Sequence, residues 1–87
     1  MQAQKIIDIR EETHGDYTHT AATIMGLQDI LQSGSKWKQL TYQQRHGLEM
    51  ILVKLGRMVN GNPHHSDHID DIIGYATLVK QSMEKET

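Results

Sequence analysis

The sequence predicts an all-α protein, a small four-helix antiparallel bundle, and three observations lead to this prediction. Apolar residues recur with helical spacing in four segments. The alternation of apolar and polar residues that is typical of β-strands is missing. The links between the four segments are short, and short links favour antiparallel neighbours. With 87 residues, the chain is expected to form one helical domain over residues 1–87.

The first helix is predicted over residues 2–12, with three isoleucines (6, 7 and 9) on its apolar side. Gly15 in "HGDY" breaks this helix, and Asp16 is the expected N-cap of the second. The second helix ends at "SGS", residues 33–35. Its apolar positions follow helical spacing and are Ala21, Ile24, Leu27 and Leu31.

Thr41 and Gln44 form a capping-box pattern that opens the third helix. Gly61 in "NGNP" ends it and is expected to be left-handed, with Pro63 blocking continuation. The fourth helix is predicted from about residue 66 to about residue 84. The apolar stripes of these two helices predict a contact centred on Leu52, Leu55, Ile72 and Ile73.

The composition limits the partners of the chain. The net charge is −2 with acidic and basic residues interspersed, so no basic face for duplex nucleic acid is expected. The longest apolar stretches, residues 21–27 and 50–53, are too short for a membrane span of roughly 20 residues. No secretory signal is visible, and there are no cysteines for disulfides or thiolate zinc sites. A cytoplasmic protein is expected.

Three aspartates, Asp67, Asp70 and Asp71, share one face of the fourth helix with Gly74. Acidic residues are favourable in a first helical turn, so a solvated helix start explains them. The alternative is a shared hard cation such as magnesium. A zinc site at the neighbouring histidines (64, 65 and 68) is a weaker hypothesis, because their spacing matches no dedicated zinc motif.

The third helix carries Lys54 and Arg57 away from its apolar stripe, either as a solvated surface or as phosphate ligands. His14 and Tyr17 flank the start of the second helix, where anions bind readily. Met50 and Val53 place further apolar surface opposite the stripe. We therefore expect a homo-oligomer, most simply a dimer, with a ligand site where subunits meet.

Three short segments carry a resemblance: "HGDY" (14–17), "KLGRMVNGN" (54–62) and "DHIDDIIGYATLV" (67–79). They resemble small phage and prophage helical proteins of the nucleotide-modification-associated domain family. More distantly, the layout is similar to all-helical nucleotide pyrophosphohydrolases of the MazG type. That resemblance implies metal ligation by Glu49, Asp67, Asp70 and Asp71. The double-glutamate motif of the MazG type is absent from the third helix, where Glu49 is the only acidic residue.

The first functional hypothesis is a non-catalytic phage protein that binds a phosphorylated, nucleotide-like ligand and sequesters a host defence signal. Its expected ligand-binding residues are His14, Asp16, Tyr17, Lys54, Arg57, Asp67, Asp71 and Tyr75. The expected cofactor is none or magnesium. One alternative is a magnesium-dependent nucleotide pyrophosphohydrolase of the MazG type. The other is a helical adaptor whose charged faces contact only protein.

Overall fold

The computed structural model describes residues 2–85, and within them it contains four α-helices and no strand. The predicted all-α class and small helical bundle are confirmed. The first helix ends two residues later than predicted, and the other boundaries agree within about two residues. No helix among these residues is long and apolar enough to cross a membrane. The helices are α1 (Gln2–His14), α2 (Tyr17–Gln32), α3 (Tyr42–Asn60) and α4 (Asp67–Lys85), and a 3₁₀ turn (Trp37–Gln39) links α2 to α3.

Side-chain caps fix where α2 and α3 begin. The carboxylate of Asp16 accepts a hydrogen bond from the backbone N–H of His19 at 3.2 Å. At α3, the Thr41 hydroxyl accepts from the backbone N–H of Gln44 at 3.1 Å. The Gln44 side chain accepts in return from the backbone N–H of Thr41 at 2.9 Å. Both predicted caps are therefore confirmed, and each satisfies donors that the first helical turn leaves free.

Helix α3 is the central helix, in contact with the other three. On one side it runs antiparallel to α4, because Lys54 pairs with Asp71 while Gly47 lies against Val79. On another side it packs on α2, and there the Asn60 amide donates to the Thr23 hydroxyl at 2.9 Å. The glycines at 47 and 56 allow these close approaches, since a Cβ at either would overlap a side chain of the neighbouring helix.

Helices α3 and α4 contact each other as predicted, but two of the four residues predicted at the centre of the contact are exposed. Leu52 is buried and Ile72 half-buried, but Leu55 and Ile73 are 43% and 59% exposed. The close approach at Gly47 turns a different face of α3 toward α4. Two buried polar groups near this contact are paired: Lys54 of α3 with Asp71, and His68 of α4 with the Thr13 carbonyl. The apolar stripes of α3 and α4 consequently lie beside the seam between the helices.

The predicted left-handed conformation of Gly61 is wrong, because its φ is −114°. The left-handed glycine is Gly15, with φ 83°. At Gly61 the requirement is space: a Cβ there would overlap the backbone of Thr13 and His14. Glycine at 61 therefore lets the α3–α4 turn lie directly on the α1–α2 turn.

Candidate functional site

The α1–α2 turn and the α3–α4 turn meet and hold each other through hydrogen bonds. The Thr13 carbonyl accepts from the backbone N–H of Asn62 and from Nε2 of His68, both at 3.0 Å. Because a carbonyl can only accept, Nε2 of His68 carries the proton. The Thr20 hydroxyl donates to the His14 carbonyl at 2.8 Å. The end of α1 is thereby fixed to α2 and α4, which sets the position of His14.

A cluster of basic side chains surrounds His14. Its ring centroid lies 5.4 Å from that of His68. Burial lowers the pKa of His14 below its ordinary value of 6.5, and four neighbouring groups lower the pKa further. The four are Arg57, His68, Lys54 and Arg10. The lowered pKa favours the neutral imidazole of His14, which is a hydrogen-bonding group among basic side chains.

Two cations of α3 differ in what they contact. The ammonium of Lys54 is largely buried and lies 2.9 Å from Oδ2 of Asp71. This hydrogen bond and the positive charge of Lys54 lower the pKa of the Asp71 carboxyl. By contrast, the guanidinium of Arg57 forms no hydrogen bond or salt bridge within residues 2–85. Lys54 thus holds α4 against α3, whereas Arg57 is available to a ligand.

A pocket of about 630 Å³ lies between α1 and α2, next to Arg57 of α3. Its volume is within the range of roughly 300–1,000 Å³ that is usual for small-molecule sites. The polar part of the wall consists of Arg10, Glu11, His14, Thr20 and Arg57. The apolar part consists of Ile7, Ala21, Ile24 and Met25, with the ring of Tyr17 also on the wall. The pocket therefore combines an apolar wall with two arginines.

The residues predicted to bind ligand fall into separate places. His14, Tyr17 and Arg57 come together in the pocket. Asp71 and Tyr75 line a second, shallower groove of about 280 Å³ on α4, together with Asp70, Gly74 and Leu78. A Cβ at Gly74 would have no atom within 4 Å, so no neighbouring element approaches this part of α4 closely.

Two further aspartates of the predicted set have local partners. The carboxylate of Asp16 is hydrogen-bonded to the side chain and backbone of His19, and these bonds lower the pKa of Asp16. Asp67 lies 3.4 Å from Nε2 of His65. Neither aspartate lines the pocket. The contact of Asp16 caps α2, and the contact of Asp67 with His65 joins the α3–α4 turn to α4.

The predicted metal ligands are not gathered into one site. Glu49 accepts a hydrogen bond from the side chain of Gln32 at 3.3 Å. Between residues 2 and 85, no group of three or more His, Asp or Glu side chains could hold a metal ion. A metal site is therefore formed neither by the set Glu49, Asp67, Asp70 and Asp71 nor by the three histidines 64, 65 and 68. The residues as placed do not fit magnesium.

Arg10 lines the pocket but is not among the residues predicted to bind ligand. Arg10 precedes His14 by four residues, so both lie on one face of α1, and that spacing is visible in the sequence. His68 is predicted from the sequence only as a possible zinc ligand. The burial of His68 depends on contacts with Thr13 and His14, 54 or more positions away in the chain, which no local pattern reveals.

Comparison with known proteins identifies the family of the chain. A family model described as a domain of unknown function, DUF6378, matches residues 1–83. No curated protein and no solved structure matches the chain significantly. The resemblance to phage domains and to the MazG type stays a prediction, because none of these comparisons tests it. Since the match covers nearly the whole sequence, the chain belongs to the DUF6378 family.

Proposed function

We propose that the protein binds a small phosphorylated molecule that also has an apolar or aromatic part, such as a nucleotide. The observation that carries this proposal is the pocket between α1 and α2, where Arg10 and Arg57 border an apolar wall. Neither guanidinium is hydrogen-bonded or ion-paired to another side chain within residues 2–85. Guanidinium groups bind phosphate oxygens through paired, charge-assisted hydrogen bonds.

The other groups of the pocket suit the rest of such a ligand. The ring of Tyr17 is mostly exposed and offers a face on which a base can stack. The carboxylate of Glu11 can accept hydrogen bonds from sugar hydroxyls. Ile24 and Met25 supply apolar contact on α2. In this proposal one chain supplies a complete pocket, unlike the subunit-junction site expected from the sequence.

The proposal is for binding, in a cytoplasmic protein that has access to phosphorylated metabolites. The resemblance found in the sequence suggests a more specific form, in which a phage protein captures a host defence signal. Cyclic dinucleotides therefore belong among the ligands tested. Hydrolysis of the MazG type would need acidic residues to gather around magnesium, and the described residues offer no such group.

Isothermal titration calorimetry with ADP, adenosine and inorganic phosphate tests the proposal. We expect ADP to bind more tightly than either of its parts, because only ADP engages both the guanidinium groups and the apolar wall. Arg57→Ala should weaken ADP binding by about 10–100-fold, the usual contribution of hydrogen bonds to a charged group. Lys36→Ala is the matched control, since it removes the same charge from the link between α2 and α3 and should leave ADP binding unchanged.

Three results would contradict the proposal or redirect it. The absence of binding for every linear and cyclic nucleotide tested would remove it and leave the adaptor as the surviving hypothesis. Equal weakening by Arg57→Ala and Lys36→Ala would show non-specific attraction by net charge. Magnesium-dependent turnover of a nucleoside triphosphate would favour the hydrolase.

A further inference from the structure

Helices α3 and α4 expose a set of apolar side chains that the pocket does not use. We define the α3–α4 apolar face as Leu55, Val59, Ile69, Ile73, Ala76 and Met83. All six are exposed in the single chain. Soluble monomers rarely expose contiguous apolar patches larger than a few hundred Å².

These six side chains lie on one side of the molecule. The Lys54–Asp71 pair and the contact of Gly47 with Val79 mark the seam between α3 and α4 and show that the helices are antiparallel. In an antiparallel pair of right-handed helices, the residue that directly follows a seam residue points to the same side of the molecule on both helices. Leu55 follows Lys54, and Ile69 follows the buried His68. The two exposed stripes therefore form one continuous face.

The exposed area of the chain is larger than a compact monomer should have. The accessible surface is 6,469 Å², whereas a folded monomer of 9.9 kDa exposes about 5,200 Å². The excess of about 1,300 Å² exceeds the roughly 800 Å² that each partner buries in a standard protein interface. Within residues 2–85, Leu52 is the only large apolar side chain that is buried. The single chain thus has the area of a dimer subunit and a very small core.

We propose that a second copy of the chain covers the α3–α4 apolar face and forms a two-fold symmetric dimer. The uncovered area is large and the core is very small, so covering that area is part of the folding of the chain itself. Because the core is so small, every molecule needs another protein surface over its α3–α4 apolar face. A second copy of the chain is always present with the first.

The pocket lies away from this face. Arg57 lies two residues from both Leu55 and Val59, hence about 200° around α3 from them. Each pocket therefore faces away from the interface, and the dimer has two independent pockets.

Two exposed apolar residues of α4 provide a matched test. Ile73 belongs to the face and is 59% exposed, while Leu78 is 60% exposed and lies on another side of the same helix, in the α4 groove. Light scattering should give twice 9.9 kDa, about 20 kDa, for the unchanged protein. Ile73→Glu should weaken the dimer at least about 30-fold, as expected for a central interface residue. Leu78→Glu should leave the dimer unchanged.

Because the chain has no cysteine, an introduced thiol gives a second reading if Ile73→Glu does not fold. In Ile73→Cys the thiol should react with a maleimide at least about tenfold more slowly than in Leu78→Cys, since the interface covers it. Dilution below the dimer dissociation constant should remove this protection. A 9.9 kDa species at micromolar concentration would overturn the proposal. So would a dimer in which both thiols react equally fast.

Discussion

Replacement of Gly61 by alanine should disturb the junction that positions His14 and the pocket beside it. The added methyl group would overlap the Thr13 carbonyl oxygen, the His14 carbonyl carbon and the Gly15 nitrogen. All three are backbone atoms, so they cannot move aside by a change of rotamer. The α1–α2 turn must shift instead, and the hydrogen bond from Asn62 to Thr13 at 3.0 Å is lost with it.

The expected loss follows from two contributions. Overpacking of this kind costs about 1–3 kcal/mol. Loss of the Asn62–Thr13 hydrogen bond adds about 0.5–1.5 kcal/mol. The free energy of unfolding of Gly61→Ala should therefore fall by about 2–4 kcal/mol. For a domain of this size, that lowers Tm by roughly 8–30 °C.

Thermal unfolding followed by far-ultraviolet circular dichroism measures this loss, and Gly26→Ala is the control. Gly26 lies inside α2, and a Cβ there would meet no atom within 4 Å. Alanine at that position should raise the free energy of unfolding by up to about 1 kcal/mol, because glycine is a poor helix former. If Gly61→Ala costs less than about 1 kcal/mol, or if both variants shift Tm in the same direction, the described contact between the two turns is wrong.

Three further predictions concern stability. Leu52→Ala should cost about 2–4 kcal/mol, measured by urea denaturation, because Leu52 is the buried apolar centre of α3. Thr41→Ala should cost about 1 kcal/mol in the same assay through loss of the capping box; no change would argue against the cap. Burial and neighbouring positive groups lower the pKa of His14 in the folded chain. Below about pH 6.5 the unfolded chain therefore binds a proton at His14 that the folded chain does not bind. Stability should consequently fall as the pH drops from about 6.5 toward the lowered pKa, and His14→Gln should flatten this dependence in urea titrations at several pH values. The groups that face His14 are Arg10 on α1, Lys54 and Arg57 on α3, and His68 on α4.

The features that sequence predicts well here depend on neighbouring residues. The Thr41–Gln44 capping box and the Asp16 cap each involve positions three residues apart. Such bonds form wherever the local backbone is helical, so the pattern alone locates the start of a helix. The four helices follow for the same reason.

The features that sequence did not predict depend on which faces meet. Periodicity identifies an apolar stripe, but it does not say whether the same chain covers that stripe. Leu55 and Ile73 were therefore placed in the core, although they are exposed in the single chain. The sequence predicts Lys54 as a surface residue or a phosphate ligand, whereas pairing with Asp71 across the α3–α4 seam makes its burial possible.

The residues of the candidate site also divide into those that are close in sequence and those that only the fold brings together. His14 and Tyr17 are close in sequence, and both reach the pocket. Arg57 joins them only because the α3–α4 turn rests on the α1–α2 turn at Gly61. On sequence alone, the aspartates of α4 are expected in the same site, because carboxylates on one helical turn suit a cation or a ligand. In the fold, Asp71 is turned toward Lys54 and lines a separate groove.

The most direct test of the proposed pocket is a titration of ¹⁵N-labelled protein with ADP, followed by amide chemical shifts. Binding in the pocket predicts saturable changes in the α1–α2 turn and along one side of α2, including His14, Gly15 and Ala21, together with Arg57. The amides around the α4 groove, including Asp70 and Gly74, should change little. Changes confined to the α4 groove, or no saturable change at any amide, would contradict the assignment of the ligand site to the pocket between α1 and α2.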